Sequence, residues 1–317
     1  MKKTLATLIV LALSASTALA DVPEDYARSE ESTYLTFPEW FIVYSSEEYA
    51  DFIQDQNPSE FPYLASAQQF WSSYYKVYTI TKSRYGFNAG DHLMLWVIGS
   101  SFTAEALIKN AYEHTTGWAS EWSAHNEKTE EDLFAYQYNQ DYVGFIYDRP
   151  WYEFDFGTEL KQLWTETPLL GDHMLRKWER RFALSLELGT KSLYAKLVGA
   201  ASHGVYGIQP DTIYATSTSG EVIQIPRYRL FTETLPQLLK EGLVLHDIAG
   251  NETLFMTVLA PHEWDEQVEN ASVLFSMKIL TDPTRKRVGI SASVGELQNL
   301  LPSLEKEGVQ LEHFYDY

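Results

Sequence analysis

The feature that most constrains this 317-residue chain is a change of hydrophobic period near Gly207-Ile208-Gln209-Pro210. Upstream of it, apolar residues recur at helical spacing; downstream, they alternate with period two. Such a chain divides into a helical part, about 21–208, and a strand-rich α+β part, about 210–317.

The downstream part repeats itself. Leu235-Pro-Gln-Leu-Leu-Lys-Glu-Gly242 with Leu245 returns at one constant offset as Leu301-Pro-Ser-Leu-Glu-Lys-Glu-Gly308 with Leu311, and the same offset aligns Val222 with Val288. Each copy reads as strand, helix, strand: 222–225, 230–241 and 243–248, then 287–294, 295–307 and 309–315. Two further strands are expected at 253–260 and 273–280, and Asp282-Pro283-Thr284 marks a hairpin turn. Gly242 and Gly308 suit the left-handed position that ends a helix. Two such units, with their helices on one face of a sheet, make a ferredoxin-like α+β sandwich. Pro236 and Pro302 are expected in the first turn of their helices, which shortens both.

Upstream, Phe37 to Tyr44 reads as a short extended segment. Ser45-x-x-Glu48 has the form of a capping box opening a helix through Ile53. Further helices are expected over 64–82, from Asp91 to about Glu113, from Thr129-x-x-Asp132 to before Pro150, over 158–166, and from Asp172 onward. Leu93, Met94, Leu95, Trp96, Val97 and Ile98 make the Asp91 helix apolar nearly all round, which places it at the centre of a bundle. On the Asp172 helix, Trp178, Phe182, Leu186, Leu193 and Leu197 keep helical spacing beside a basic run. A second echo links the two long helices. Gly90-Asp91-His92 returns as Gly171-Asp172-His173, and Glu105-x₃-Lys109-x₂-Tyr112-x₄-Gly117 as Glu187-x₃-Lys191-x₂-Tyr194-x₄-Gly199.

The first twenty residues have the form of a signal peptide. Lys2 and Lys3 precede the apolar run Leu5 to Leu13, and Ala18-Leu19-Ala20 offers a cleavage site before Asp21. That places the mature chain in a periplasm or outside the cell, and no later segment has the 18 uninterrupted apolar residues of a membrane span. Losing Lys2 and Lys3 from the 24 bases leaves 22 against 44 acidic residues, a charge of −22. So acidic a chain is repelled by nucleic acid and by anionic lipid. There is no cysteine, so disulfides, thiol catalysis and cysteine-held metals are excluded.

Five stretches resemble an uncharacterised group of bacterial exported proteins that begin with a signal peptide or membrane anchor. They are Tyr34-Leu-Thr-Phe-Pro-Glu-Trp40, Asn88-Ala-Gly-Asp-His92, Arg149-Pro-Trp-Tyr-Glu153, Arg176-Lys-Trp-Glu-Arg-Arg181 and Leu311-Glu-His-Phe-Tyr-Asp-Tyr317. The resemblance implies export and brings no activity or cofactor with it.

Phosphate-cradling loops, His-Glu-x-x-His, Gly-x-Ser-x-Gly and calcium-loop spacings are all missing, so a site must be assembled from distant residues. His92 and His173 with Glu105 and Glu187 form one candidate set, as catalytic groups or ligands of a divalent metal. A Glu thirteen residues after a His lies about 20 Å along a helix, so the pairs meet only if the two helices run antiparallel with matching ends. The plainer reading is an i,i+4 ion pair on each helix, Glu105–Lys109 and Glu187–Lys191. Trp151 and Glu153 form a second candidate, for sugar binding or acid/base chemistry; the alternative is an aromatic loop packed under the bundle. The third is an anion-binding face of Arg176 and Arg180 beside Lys177 and Arg181, against a local ion network centred on Glu179. His246, Asp247, His313 and Asp316 gain interest only if buried in one cleft. The expectation is an exported, non-catalytic binding or accessory protein for a small-molecule or protein ligand, with no cofactor and with homodimerisation across the sheet. The rival is an enzyme with its His/carboxylate site between the two parts; a third reading, a structural envelope protein, would show as an exposed apolar patch of several hundred Å².

Overall fold

The structure, a computed structural model, describes residues 27–85, 89–205 and 212–316. The signal-peptide reading and the 207–210 boundary lie outside the described residues. The helical part contains α1 (Glu30–Asp55), α2 (Tyr63–Arg84), α3 (Ala89–Tyr112), α4 (Trp118–Ser123), α5 (Glu130–Ile146), α6 (Phe156–Glu166) and α7 (Met174–Val205). A π-helical turn, Glu113–Gly117, joins α3 to α4. Next come β1 (Thr212–Ser217), β2 (Val222–Pro226), α8 (Arg229–Lys240), β3 (Leu245–Ile248), β4 (Thr253–Pro261), β5 (Ala271–Lys278), β6 (Arg285–Ser293), α9 (Leu297–Lys306) and β7 (Gln310–Phe314).

The expected extended segment at Phe37–Tyr44 and the helix opening at Ser45 are both corrected, because α1 runs unbroken through them from a Ser29 cap. Tyr34, Phe37, Phe41 and Tyr44 recur at i,i+3/i+4 and pack as one stripe with Phe255, Phe275, Met277 and Tyr315 of the sheet. Burying such side chains stabilises by about 1.5–3 kcal/mol each, which outweighs the roughly 3 kcal/mol cost of Pro38 inside the helix. The same balance corrects the first-turn placement of Pro236 and Pro302. Both lie within α8 and α9, whose inner faces bury Phe231, Leu235 and Leu239, and Leu297, Leu300 and Leu304.

Each of the two similar stretches forms strand, helix and strand, but the two do not share one four-stranded sheet. The strands form two antiparallel sheets, β2-β1-β3 and β5-β6-β4-β7. In each, a strand–helix–strand unit straddles a central antiparallel strand, β1 in the first and β4 in the second. β1 was not expected; it lies between β2 and β3 and gives the first unit a sheet of its own. Gly242 and Gly308 end their helices at φ of 95° and 75°, with matching backbone bonds from Leu243 to Leu238 and from Val309 to Leu304. The 282–284 turn forms as expected, Asp282 Oδ1 accepting from the Thr284 amide at 3.0 Å.

β4 and β6 are covered on both faces. Leu254, Met256, Val258, Val288 and Ile290 meet α8, α9 and the first sheet. On the other face, Phe255 packs under α1, and Arg287 reaches back to α1. Arg287 holds Glu312 through Nε at 2.8 and 2.9 Å, reaches Glu48 at 3.2 Å, and lies 4.2 Å over the Tyr44 ring.

Candidate interaction face and its buried charge network

The site is built where α3, α4, α5 and α7 meet. The expected Thr129–Asp132 capping box forms at the start of α5 and fixes Glu130, Glu131 and Asp132 in one turn. Opposite stand Arg176, Lys177, Arg180 and Arg181, whose i,i+1,i+4,i+5 spacing presents four bases on one side of α7. Arg176 grips Asp132 with a fork, Nη2 to Oδ1 at 2.7 Å and Nε to Oδ2 at 3.2 Å. Its Nη1 donates to Ser120 at 2.9 Å and to Glu179 at 3.1 Å. Lys177 donates to Glu130 at 2.5 Å and Glu131 at 3.1 Å, and Arg181 to Glu131 at 2.5 Å. Arg180 reaches Glu113 at 2.7 Å across the π-helical turn. Glu113 folds back over Gly117, where a Cβ would meet its carboxylate, so a larger residue there would have to displace the Glu113 side chain.

All four bases are buried. Six carboxylates face them, counting Glu121 at 3.5 Å from Arg176. Burial pushes the Asp132 pKa up, but Arg176 and Arg180 outweigh it and hold the group below its usual range. Glu121, desolvated and only partly compensated by Ser59 and Arg176, is raised. These arginines are therefore already neutralised from within. The expected Arg176–Glu179 contact forms, whereas Arg180 turns to Glu113 and Asp132 instead of Glu179.

The echo between the two long helices has a spatial meaning. Lys109 lies 3.0 Å from both Glu105 and Glu187; Lys191 lies 3.2 Å from Glu105 and 2.8 Å from Glu187. Tyr112 on α3 also donates to Glu179 on α7 at 2.5 Å. Rising numbers on α3 meet falling numbers on α7, so the helices are antiparallel with matching ends. The quartet marks a pseudo-two-fold axis between them. Burial disfavours the charged forms, yet the crossed pairing wins: both carboxyls are held below, and both ammoniums above, their ordinary values.

The histidines do not join. His92 is buried near the start of α3, 3.1 Å from Tyr74 Oη. His173, with a left-handed φ of 54°, pairs with Glu127 at 3.0 Å just before α7. On antiparallel helices these positions fall at opposite ends, roughly 45 Å apart at 1.5 Å per residue. Among the described residues no group of three or more His, Asp or Glu is arranged to hold a metal ion. Trp151 stacks on Tyr194 at 5.5 Å while Glu153 points to solvent, so this pair converges on nothing. His313 and Asp316 are buried but apart: Asp316 accepts from Arg227 at 3.0 Å, and His313 Nδ1 meets Thr232 at 3.0 Å. His246 is exposed. An open hollow of about 390 Å³ beside α9, lined by Gln267, Glu269, Ser303 and Glu307 among others, includes none of the expected site residues.

What the sequence reading misplaced is the apolar side of these helices. α3 does not sit at a bundle centre: Leu93, Trp96, Val97, Leu107 and Ile108 are between 51% and 66% exposed. On α7, neighbours are inverted. Arg181 is 1% exposed and Phe182 66%; Arg176 is 2% and Leu175 63%. Leu186, Leu193 and Leu197 face solvent in the same row. On each helix, in the same rotational order, the polar link to its partner lies about a third of a turn from this stripe. Antiparallel helices so arranged turn both stripes to one side. Trp118 and Trp122 of the adjoining α4 are also exposed, 59% and 72%. The sequence signal was the apolar spacing itself, which reveals a stripe without revealing which way it turns.

No protein-family model, curated protein or solved structure matches this chain.

Proposed function

We propose that this is an exported, non-catalytic binding or accessory protein whose working surface is the outer face of α3 and α7. The observation that carries the reading is the row of exposed apolar side chains on each of α3 and α7, since apolar surface grouped in this way marks an interaction site. Export rests on the leader pattern of residues 1–20. The enzyme alternative needs His92, His173, Glu105 and Glu187 to converge, and no contact favours that. Its two carboxylates are occupied by Lys109 and Lys191, which leaves neither as a poised acid or base.

A photo-crosslinking side chain placed at Ile108 or Leu186 in the exporting cell tests the reading. Adducts are expected at both positions and not at Glu233, an exposed residue on α8. Absence of adducts at both face positions in a correctly folded, exported protein would overturn it.

A further inference from the structure

We infer that the partner covering the α3/α7 face is a second copy of this chain, packed face to face about a two-fold axis. This inference rests on the preceding reading of that face as the working surface.

The first argument is area. Leu93, Trp96, Val97, Leu107, Ile108, Trp118 and Trp122, with Leu175, Trp178, Phe182, Leu186, Leu193 and Leu197, keep between 42% and 72% of their surface exposed. Together they offer on the order of 1,500 Å², against about 800 Å² that each partner contributes to a stable interface of standard size. One protomer thus exposes enough apolar surface for a lasting complex.

Charge then narrows the partner. The outward positions of α3, running 93, 96, 97, 100, 104, 107, 108 and 111, include no Asp, Glu, Lys or Arg; those of α7, running 175, 178, 182, 186, 190, 193, 196, 197 and 200, include one base, the exposed Lys196. A strongly charged partner has only that single base to recognise. A lipid surface is disfavoured by two observations. The chain carries −20, and of the lysines beside the face Lys109 and Lys191 are engaged by Glu105 and Glu187, which leaves Lys196 as one exposed base. Helices that lie in a bilayer interface use free flanking bases instead. No described helix is long and apolar enough to cross a membrane.

The third argument is symmetry. An isologous dimer needs a patch complementary to itself. Here the two halves of the patch are already related by the pseudo-two-fold axis through the Glu/Lys quartet. Each stripe alternates bulky residues with small ones: Ser100, Ala104 and Ala111 on α3, Thr190 and Ala200 on α7. Two such layers laid together put bulky rows over small ones and form a four-helix arrangement with ordinary ridge-into-groove packing.

Sedimentation velocity on the full exported chain, without detergent, tests the inference. The expected mass is twice that of the chain, and I108E and L186E are expected to weaken association at least 100-fold while leaving the circular dichroism unchanged. Because the natural chain has no cysteine, oxidising single variants gives a second readout that does not depend on tolerating a buried charge. L186C and I108C should form disulfide-linked dimers, and E233C should not. A monomer at every concentration that still gives photo-adducts with another protein at Ile108 would overturn the second copy and leave the face as a binding surface. Co-sedimentation with phosphatidylcholine vesicles, abolished by I108E, would overturn it in favour of lipid. A monomer with neither adducts nor vesicle binding would overturn both readings. A dimer unaffected by I108E and L186E would place the interface elsewhere.

Discussion

Replacing Arg176 by Met is the sharpest test of whether the α5–α7 network is structural. The side chain is 2% exposed and binds Asp132, Glu179 and Ser120 at 2.7–3.2 Å, with Glu121 at 3.5 Å. Methionine matches much of its stem, so the loss is mainly electrostatic. Removing one partner of a buried pair costs about 3–5 kcal/mol, because the other charge stays desolvated. Here the cost belongs at the upper end, since six carboxylates already face four bases. Glu121→Gln is the counterpart. It removes a charge whose pKa burial already raises, so its cost should stay under about 1 kcal/mol. In the double variant the two changes should be non-additive by about 1 kcal/mol or more in the direction of rescue, because they share one contact. Urea unfolding followed by circular dichroism measures all three, with amide exchange across the first turns of α7 reporting the local effect if unfolding is not two-state. A loss below about 1 kcal/mol for Arg176→Met in a natively folded protein would refute the argument: the network would then be hydrated and surface-like in solution.

Three further outcomes follow from buried groups and backbone. Burial holds the His313 pKa at about 3, below the ordinary 6.5, so the unfolded chain binds the extra proton. Stability from the neutral imidazole is complete above pH about 6.5 and falls by about 1.4 kcal/mol per pH unit toward pH about 3. The stability gap between wild type and His313→Phe should shrink along that slope between pH 7 and 5 in urea titrations, and a pH-independent gap would contradict the assignment. Gly99→Ala places a Cβ against the buried Phe70 ring, so overpacking should cost about 1–3 kcal/mol, read as a lower urea midpoint at unchanged slope. Gly308→Ala has open space but a φ of 75°; it should lose about 1 kcal/mol, and Gly308→Asn less, by the same measurement.

Much of the strand-rich part was legible because its determinants are local. The Leu-Pro repeat, the glycines at 242 and 308, and the Asp282 turn each act over a few residues. The missing strand, β1, is what turned two sheets into an expected single one. Its Thr-Ile-Tyr-Ala-Thr-Ser run alternates with period two but is short and polar on its outer face, and it sits beside the Pro210 break. α1 was misread for the opposite reason: Ser45-x-x-Glu48 has the form of a local helix start, overruled by aromatic packing on strands more than 200 residues away that carries the helix through Pro38. The Glu105 and Glu187 echo was visible, as was the condition under which the two would meet. That lysines rather than histidines complete the set depended on how α3 and α7 align, which no spacing along one helix encodes.

The inversion on α7 follows from the same non-locality. A base on an amphipathic helix belongs in water unless an acid from elsewhere meets it, and the acids that meet Arg176, Lys177, Arg180 and Arg181 come from α5 and from the region around the π-helical turn. Once those directional bonds set the rotation of α7, Leu175, Trp178, Phe182 and Leu186 have nowhere to point but outward. In a lone monomer this arrangement forgoes roughly 25 cal/mol for each Å² of apolar surface left wet, over a surface large enough to matter against a net stability of about 5–15 kcal/mol. A covering partner recovers that term at no cost to the network. The buried charges therefore fix which side of the helix pair faces outward, and the apolar stripe on that side is what the proposed partner would cover. Under that proposal Arg176→Met, which removes a bond that orients α7, should weaken association as well as folding, whereas Glu121→Gln, which spares those bonds, should leave the sedimenting mass of the protein unchanged.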